Sequence, residues 1–135
     1  FDYLVSIGMF EHVGESYWPA YMRDVHDYLR PGGKAMIQTI TIAEERFERY
    51  RSGNDFLREH IFPGGMLPSR KRFKAVAADS GLVVNDVFEF GQVPAIRALG
   101  YSEMFVRKWR FYLASCAGMF RAGGINVMQV ELSRE

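Results

Sequence analysis

What this chain of 135 residues has little of narrows its class before any motif is read. It holds one cysteine, Cys116, so no internal disulfide can form and a reducing cytoplasm is the simplest setting. Seventeen basic side chains against sixteen acidic ones leave a formal charge of +1. A dedicated nucleic-acid binder would carry a basic excess, although a local basic patch is enough for contact with a membrane surface. No apolar run approaches the roughly 18 residues needed to span a bilayer, and no stretch reads as a signal peptide. The histidines His12, His26 and His60 have no ligand spacing, so no metal is expected. No phosphate-cradling glycine loop precedes a helix and no Gly-x-Ser-x-Gly elbow is present, which leaves a nucleotide hydrolase unsupported.

What is present describes a globular piece of an α/β protein. Hydrophobic residues make up 48% of the chain and aromatic ones 15%, enough to bury a core. The first segment, Tyr3 to Gly8 (YLVSIG), is a nearly continuous apolar run of the kind found in buried parallel strands. Because that core-like strand follows Phe1 directly, the chain is expected to be part of a longer protein. Ser16 is the expected helix N-cap, and Tyr21, Met22, Val25 and Leu29 then recur at helical spacing. Pro31-Gly32-Gly33 stops that helix, and Lys34 to Ile42 (KAMIQTITI) reads as a second buried strand. Strand, helix, Pro-Gly turn and strand is the rhythm of a parallel sheet.

Residues 43–69 break the pattern. A charged stretch, EERFERYR, leads to the turn Phe62-Pro63-Gly64-Gly65. An insertion after the carboxyl end of a strand is where an α/β enzyme builds its substrate cover. Beyond it, Arg70 to Ser80 is expected as a helix with Phe73, Val76 and Ala77 inward and Gly81 at its end. Leu82 to Phe90 is expected as a strand, and Ser102 to Phe120 as a long helix with Phe105, Trp109, Tyr112, Leu113, Cys116 and Phe120 on one stripe. Ile125 to Leu132 closes the chain as a strand that can pair antiparallel with the one before it.

In open α/β sheets, ligands sit beyond the carboxyl ends of the strands. The first strand runs into Gly8-Met9-Phe10-Glu11-His12-Val13-Gly14, which offers a carboxylate and an imidazole between flexible glycines. The second carries Gln38 and Ile40 near its end, so Glu11 and Gln38 can face one cleft if the strands are neighbours. Glu-His after a strand can equally well cap a helix, and Gln38 can be a satisfied polar core group. From spacing alone, the row Tyr112, Cys116 and Phe120 fits plain core packing better than a binding wall. Arg70-Lys71-Arg72 fits a solvated helix start or a contact for lipid headgroups.

Several stretches together resemble one family. They are SIGMFEHVG over 6–14, LRPGG over 29–33, QTIT over 38–41, IFPGGMLPS over 61–69, and the closing Phe111-Tyr112-Leu113, Cys116, Phe120-Arg121 and Ile125-Asn126-Val127. Their order is similar to the C-terminal half of cyclopropane-fatty-acyl-phospholipid synthases and the related mycolic acid methyltransferases. The resemblance implies the C-terminal portion of a Rossmann-like class I methyltransferase fold, over residues 1–135, with a mainly parallel sheet ending in an antiparallel strand pair. It implies S-adenosylmethionine as methyl donor and bicarbonate as proton acceptor. The cis double bond of an acyl chain attacks the sulfonium methyl, and the resulting cation loses a proton and closes to a cyclopropane. Glu11 matches the bicarbonate-holding glutamate, and Ile40 a position whose backbone helps hold that ion. Ile7, Gly8 and His12 match a segment against the S-adenosylmethionine site, and Phe62, Tyr112, Cys116 and Phe120 match positions lining the acyl tunnel.

The implied partners are unsaturated phospholipid acyl chains at the inner face of the membrane, with a homodimer compatible with the reading. The chain departs from the family pattern in three ways. The glycine-rich cofactor loop, the acidic ribose-binding residue and a bicarbonate-holding cysteine would lie before Phe1, so this stretch alone is expected to bind S-adenosylmethionine poorly. Gln38 stands where many members carry a histidine. After Phe90-Gly91 a tyrosine-bearing segment expected near the bicarbonate is absent, since Gln92-Val93-Pro94 runs almost directly into Ala95 to Tyr101. Methyl transfer without ring closure, or a lipid-binding remnant without turnover, are the competing expectations.

Overall fold

The computed structural model describes residues 1–53, 56–89, 118–120 and 122–135. Its frame is a four-stranded sheet in the order β1-β2-β4-β3, with β1 at Tyr3–Ile7, β2 at Lys34–Ile42, β3 at Leu82–Glu89 and β4 at Ile125–Arg134. β1 and β2 pair in parallel, with Ile7 opposite Gln38. β4 enters between β2 and β3 and runs antiparallel to both. Three strands therefore point one way and β4 points the other, and the β3–β4 pairing is the antiparallel pair expected from the sequence. A register shift between Val84 and Asp86 marks a bulge in β3.

Helices α1 (Trp18–Tyr28) and α3 (Arg70–Asp79) supply side chains to one common core. Trp18, Met22, Val25 and Leu29 point inward from α1 and its end, and Phe73, Val76 and Ala77 from α3. They meet Ala35 and Ile37 of β2 and Met128, Val130 and Leu132 of β4. The two-residue alternation of a strand sorts β2 cleanly. Ala35, Ile37, Thr39 and Thr41 are buried, while Met36, Gln38 and Ile40 on the other face are partly exposed.

Two local expectations need correction. Ser16 does not cap α1. It lies inside a short 3-10 turn, Glu15–Tyr17, and the helix starts at Trp18 with no side-chain cap. Pro19 in the first turn, where its missing N–H costs nothing, and the fully buried Trp18 indole set that start instead. β1 is also not buried on both faces. Tyr3, Val5 and Ile7 are 77%, 66% and 66% exposed, because the described residues cover only the Leu4 face of β1.

The segment over residues 43–69 leaves β2 through α2 (Glu44–Ser52), passes a π-helical turn at Leu57–Ile61 and rejoins the sheet at Ser69, which bridges to Ile42. Ser69 then caps α3, its hydroxyl accepting from the Arg72 amide at 3.2 Å and donating to Glu44 Oε1 at 2.8 Å. The expected stripe Phe105, Trp109, Tyr112, Leu113 and Cys116 falls outside the described residues, as does Phe90 at the expected end of β3.

Candidate functional site

The carboxyl ends of β1 and β2 build the site. β1 stops at Ile7, and the Gly8 amide makes one more ladder bond, donating to the Gln38 carbonyl at 3.0 Å. Gly8 then turns the chain with φ of 61°, a left-handed conformation natural to glycine. The next residues form a 3-10 turn, Phe10–His12. Phe10 is fully buried and anchors this turn. Its ring stacks on Trp18 at 5.2 Å and meets Tyr21 and Phe73 edge-on at 5.2 and 4.9 Å, while the Trp18 indole N–H donates to its carbonyl at 3.3 Å. Anchoring Phe10 in the core fixes the direction of its neighbour Glu11.

Glu11 is 4% exposed. Its Oε2 accepts from the Thr39 hydroxyl at 2.7 Å, and Oε1 lies 3.9 Å from where a Cβ on Gly8 would stand. Among the described residues no other donor reaches this carboxylate, and no cation pairs with it. Beside it, the Tyr21 hydroxyl donates to Ser6 Oγ at 2.5 Å. Burial, and then the nearby Glu11 carboxylate, raise the Tyr21 pKa above its ordinary value of 10.0, against the lowering effect of the Ser6 hydrogen bond.

The end of the 43–69 segment locks onto this turn. The Met66 amide donates to the Glu11 carbonyl at 2.8 Å, and Gly65 donates back to Phe62 at 2.9 Å. Gly14 and Gly64 touch so closely that a Cβ on Gly14 would stand 2.8 Å from the Gly64 carbonyl oxygen. The two distinctive motifs of the sequence, one around Glu11 and one around Phe62, are thus parts of one interlocked surface. Glu15, just past the turn, receives Arg51 of α2 at 2.8 Å and has Arg72 of α3 at 3.4 Å. That cluster ties the turn to both neighbouring helices.

The candidate residues divide as follows. His12 and Phe62 come together, their rings 4.8 Å apart and tilted by 56°. Ile7 is exposed and Phe62 half-buried. Phe120 is half-buried in the short helical end that precedes β4, whose first residue Ile125 pairs with Ile42 at the same end of the sheet. Tyr112 and Cys116 lie outside the described residues. Gln38 does not join Glu11. It points to the other face of the sheet, where the Gln129 amide donates to its Oε1 at 3.0 Å. Ile40 addresses the gap through its backbone. Gln38 O and Ile42 N both bond toward the β1 side, so by strand alternation Ile40 N–H faces that side as well, past the point where β1 has ended.

The residue that the sequence reading passed over is Thr39. The signal was available, because adjacent residues of a strand face opposite ways, and the inward row here reads Ala35, Ile37, Thr39 and Thr41.

Comparison with known proteins places this geometry. The family model for mycolic acid cyclopropane synthetase matches residues 1–95. Tuberculostearic acid methyltransferase UfaA1 of Mycobacterium tuberculosis is 32% identical over all of this chain and 36% of its own length. Cyclopropane-fatty-acyl-phospholipid synthase of Escherichia coli is 34% identical over 99% of this chain and 38% of its own. The chain thus spans little more than a third of these two relatives. Among solved structures, mycolic acid cyclopropane synthase CmaA1 complexed with SAH and CTAB superposes with a TM-score of 0.80 at 27% identity, over 98% of this chain and 55% of that one. The fold is that of class I methyltransferases, and the chain belongs to the mycolic acid cyclopropane synthetase family.

Proposed function

We propose that this chain is the C-terminal part of an enzyme that transfers a methylene group from S-adenosylmethionine to the cis double bond of an unsaturated phospholipid acyl chain, giving a cyclopropane. The observation that carries the reading is the buried Glu11 carboxylate, held through one oxygen by Thr39 and roofed by the cover segment through Met66. An acceptor with one oxygen unengaged, next to a backbone donor at Ile40, suits an anion that itself carries one O–H. Bicarbonate fits that description. When bound, S-adenosylmethionine supplies the electrophilic methyl and bicarbonate a base for the proton released on ring closure.

The residues of this chain do the rest. Ile7, Gly8 and His12 border the methyl donor, and Phe62 and Phe120 present apolar surface to the acyl chain. An alkene is a weak nucleophile and a carbocation is quenched by water, so alignment and exclusion of solvent are what the protein must provide. The interlock of residues 62–66 on residues 11–14 supports that exclusion, in line with residues 43–69 as a substrate cover. The Phe62 and Phe120 rings can also favour developing positive charge. No described helix is long and apolar enough to cross a membrane. Action at the cytoplasmic membrane surface therefore rests on the substrate class and on the basic start of α3.

The test uses the full-length enzyme with unsaturated phospholipid vesicles and S-adenosylmethionine, with and without bicarbonate, read by acyl mass. A gain of one CH2 with loss of the double bond, dependent on bicarbonate and lost in Glu11→Gln, is the expected result. A gain of one CH2 with unsaturation retained would replace this reading with simple methylation, which the similarity to a tuberculostearic acid methyltransferase favours. Cofactor binding with no gain at all would point to a remnant without turnover.

A further inference from the structure

We infer that Thr39 is the positioning residue for Glu11, committing one carboxylate oxygen so that the other alone is offered to the anionic base; this rests on the reading above. Thr39 is 1% exposed and lies in the inward row of β2 behind Ala35 and Ile37. A strand interior of that kind favours a β-branched apolar residue, and valine would match the shape without adding a hydroxyl. A hydroxyl buried there must find a partner. Thr39 spends its single proton on Glu11 Oε2 at 2.7 Å, its contact to the Ile40 carbonyl being longer at 3.3 Å. Thr41, two positions on in the same row, uses its hydroxyl on a β4 backbone carbonyl, Asn126 O.

A buried carboxylate without a fixed donor can rotate about its last torsion, which is broad and nearly two-fold. The Thr39 bond removes that freedom from the side-chain end, while Met66 holds the Glu11 backbone from the other. The result is a one-oxygen acceptor at Oε1, beneath the Gly8 turn. Such an acceptor rewards a ligand that brings a proton on one oxygen and carries charge on the others. It offers nothing to an aprotic anion such as chloride or nitrate. Gln38, which stands where the family often has histidine, is turned away toward Gln129, so the orientation of Glu11 falls to Thr39.

The experiment compares wild type, Thr39→Val and Thr39→Ser in the full-length enzyme, with Thr39→Ala in place of the valine variant if that one does not fold. Two quantities are read: the bicarbonate concentration giving half-maximal turnover, and the carbon-13 line broadening of labelled bicarbonate with S-adenosylhomocysteine bound. Loss of one hydrogen bond to a charged group should raise the half-saturating concentration and weaken the broadening about tenfold in Thr39→Val. Thr39→Ser should stay within about twofold of wild type, and affinity for S-adenosylhomocysteine should be unchanged in both. A Thr39→Val enzyme that loses thermal stability yet keeps wild-type bicarbonate dependence overturns the positioning role and leaves the reaction standing. A wild-type enzyme that neither binds nor responds to bicarbonate overturns the reading itself, and this inference with it.

Discussion

Replacing Gly14 by alanine should pry the 62–66 loop from the Glu11 turn without unfolding the sheet. Gly14 has φ of 79° and ψ of 153°, a region closed to residues with a Cβ at a cost of about 1–3 kcal/mol. The new methyl would also stand 2.8 Å from the Gly64 carbonyl oxygen, a backbone atom that can retreat only by carrying its loop along. Both effects fall on the same contact, the one that seats the Met66 amide on the Glu11 carbonyl. If that amide exchanges through local opening, a loss of about 1–3 kcal/mol speeds its exchange about 5- to 150-fold. Hydrogen–deuterium exchange resolved at Met66 is the assay, with the central amides of β4 around Val130 as reference. Met66 exchange within about twofold of wild type would refute the claim that the two loops are interlocked. Equal acceleration at Met66 and Val130 would show instead that Gly14 supports the whole fold.

Three further perturbations test other parts of the frame. The raised pKa of Tyr21 means that its proton is held more tightly in the folded than in the unfolded chain, so its contribution is intact below about pH 10 and is lost as pH rises through the folded value. Chemical denaturation should show wild-type stability falling more steeply above pH 10 than in Tyr21→Phe, and parallel curves would contradict the burial assigned to the phenol. Ser69→Ala removes the α3 cap and one partner of Glu44; a loss of about 1–2 kcal/mol in unfolding free energy is expected. Arg134→Ala removes the guanidinium that donates to the Leu29 and His26 carbonyls at 2.8 and 3.2 Å at the end of α1, and should cost about 1–2 kcal/mol, read as a lowered denaturation midpoint.

Local pattern made much of this frame legible. β2 begins and ends where its run of KAMIQTITI does, because a glycine pair precedes it and no glycine or proline falls within it. The inward faces of α1 and α3 followed from helical spacing, since burial there is decided by a single stripe. The helix start at Trp18 was misread because a serine is a common cap, whereas here the bulk of a buried indole and a first-turn proline decide the matter. β1 was overread for a different reason. Its composition suits burial on both faces, but only neighbouring elements can provide it, and the described residues cover one face. At the site, Glu11 stood out as a carboxylate after a strand. Its partner did not, because Gln38 looked the more chemical residue, while strand alternation hands the inward position to Thr39. The hold of Met66 on Glu11 is a contact between loops that only the assembled fold brings together.

The placement of β4 bears on how the protein is made. One of the sheet's two interior strands comes from residues 125–134, with β2 on one side and β3 on the other. During synthesis β1 and β2 can pair early, but β3, whose partner among the described residues is β4, must wait until those residues leave the ribosome. Assembly of this half therefore depends on long-range pairing, which is slow and exposes strand edges to other chains in the interval. Deleting residues 125–134 would take β4 out from between β2 and β3, leaving the parallel β1–β2 pair and a stranded β3. Deletions within that stretch should accordingly appear as failure to accumulate protein, before any question of catalysis arises.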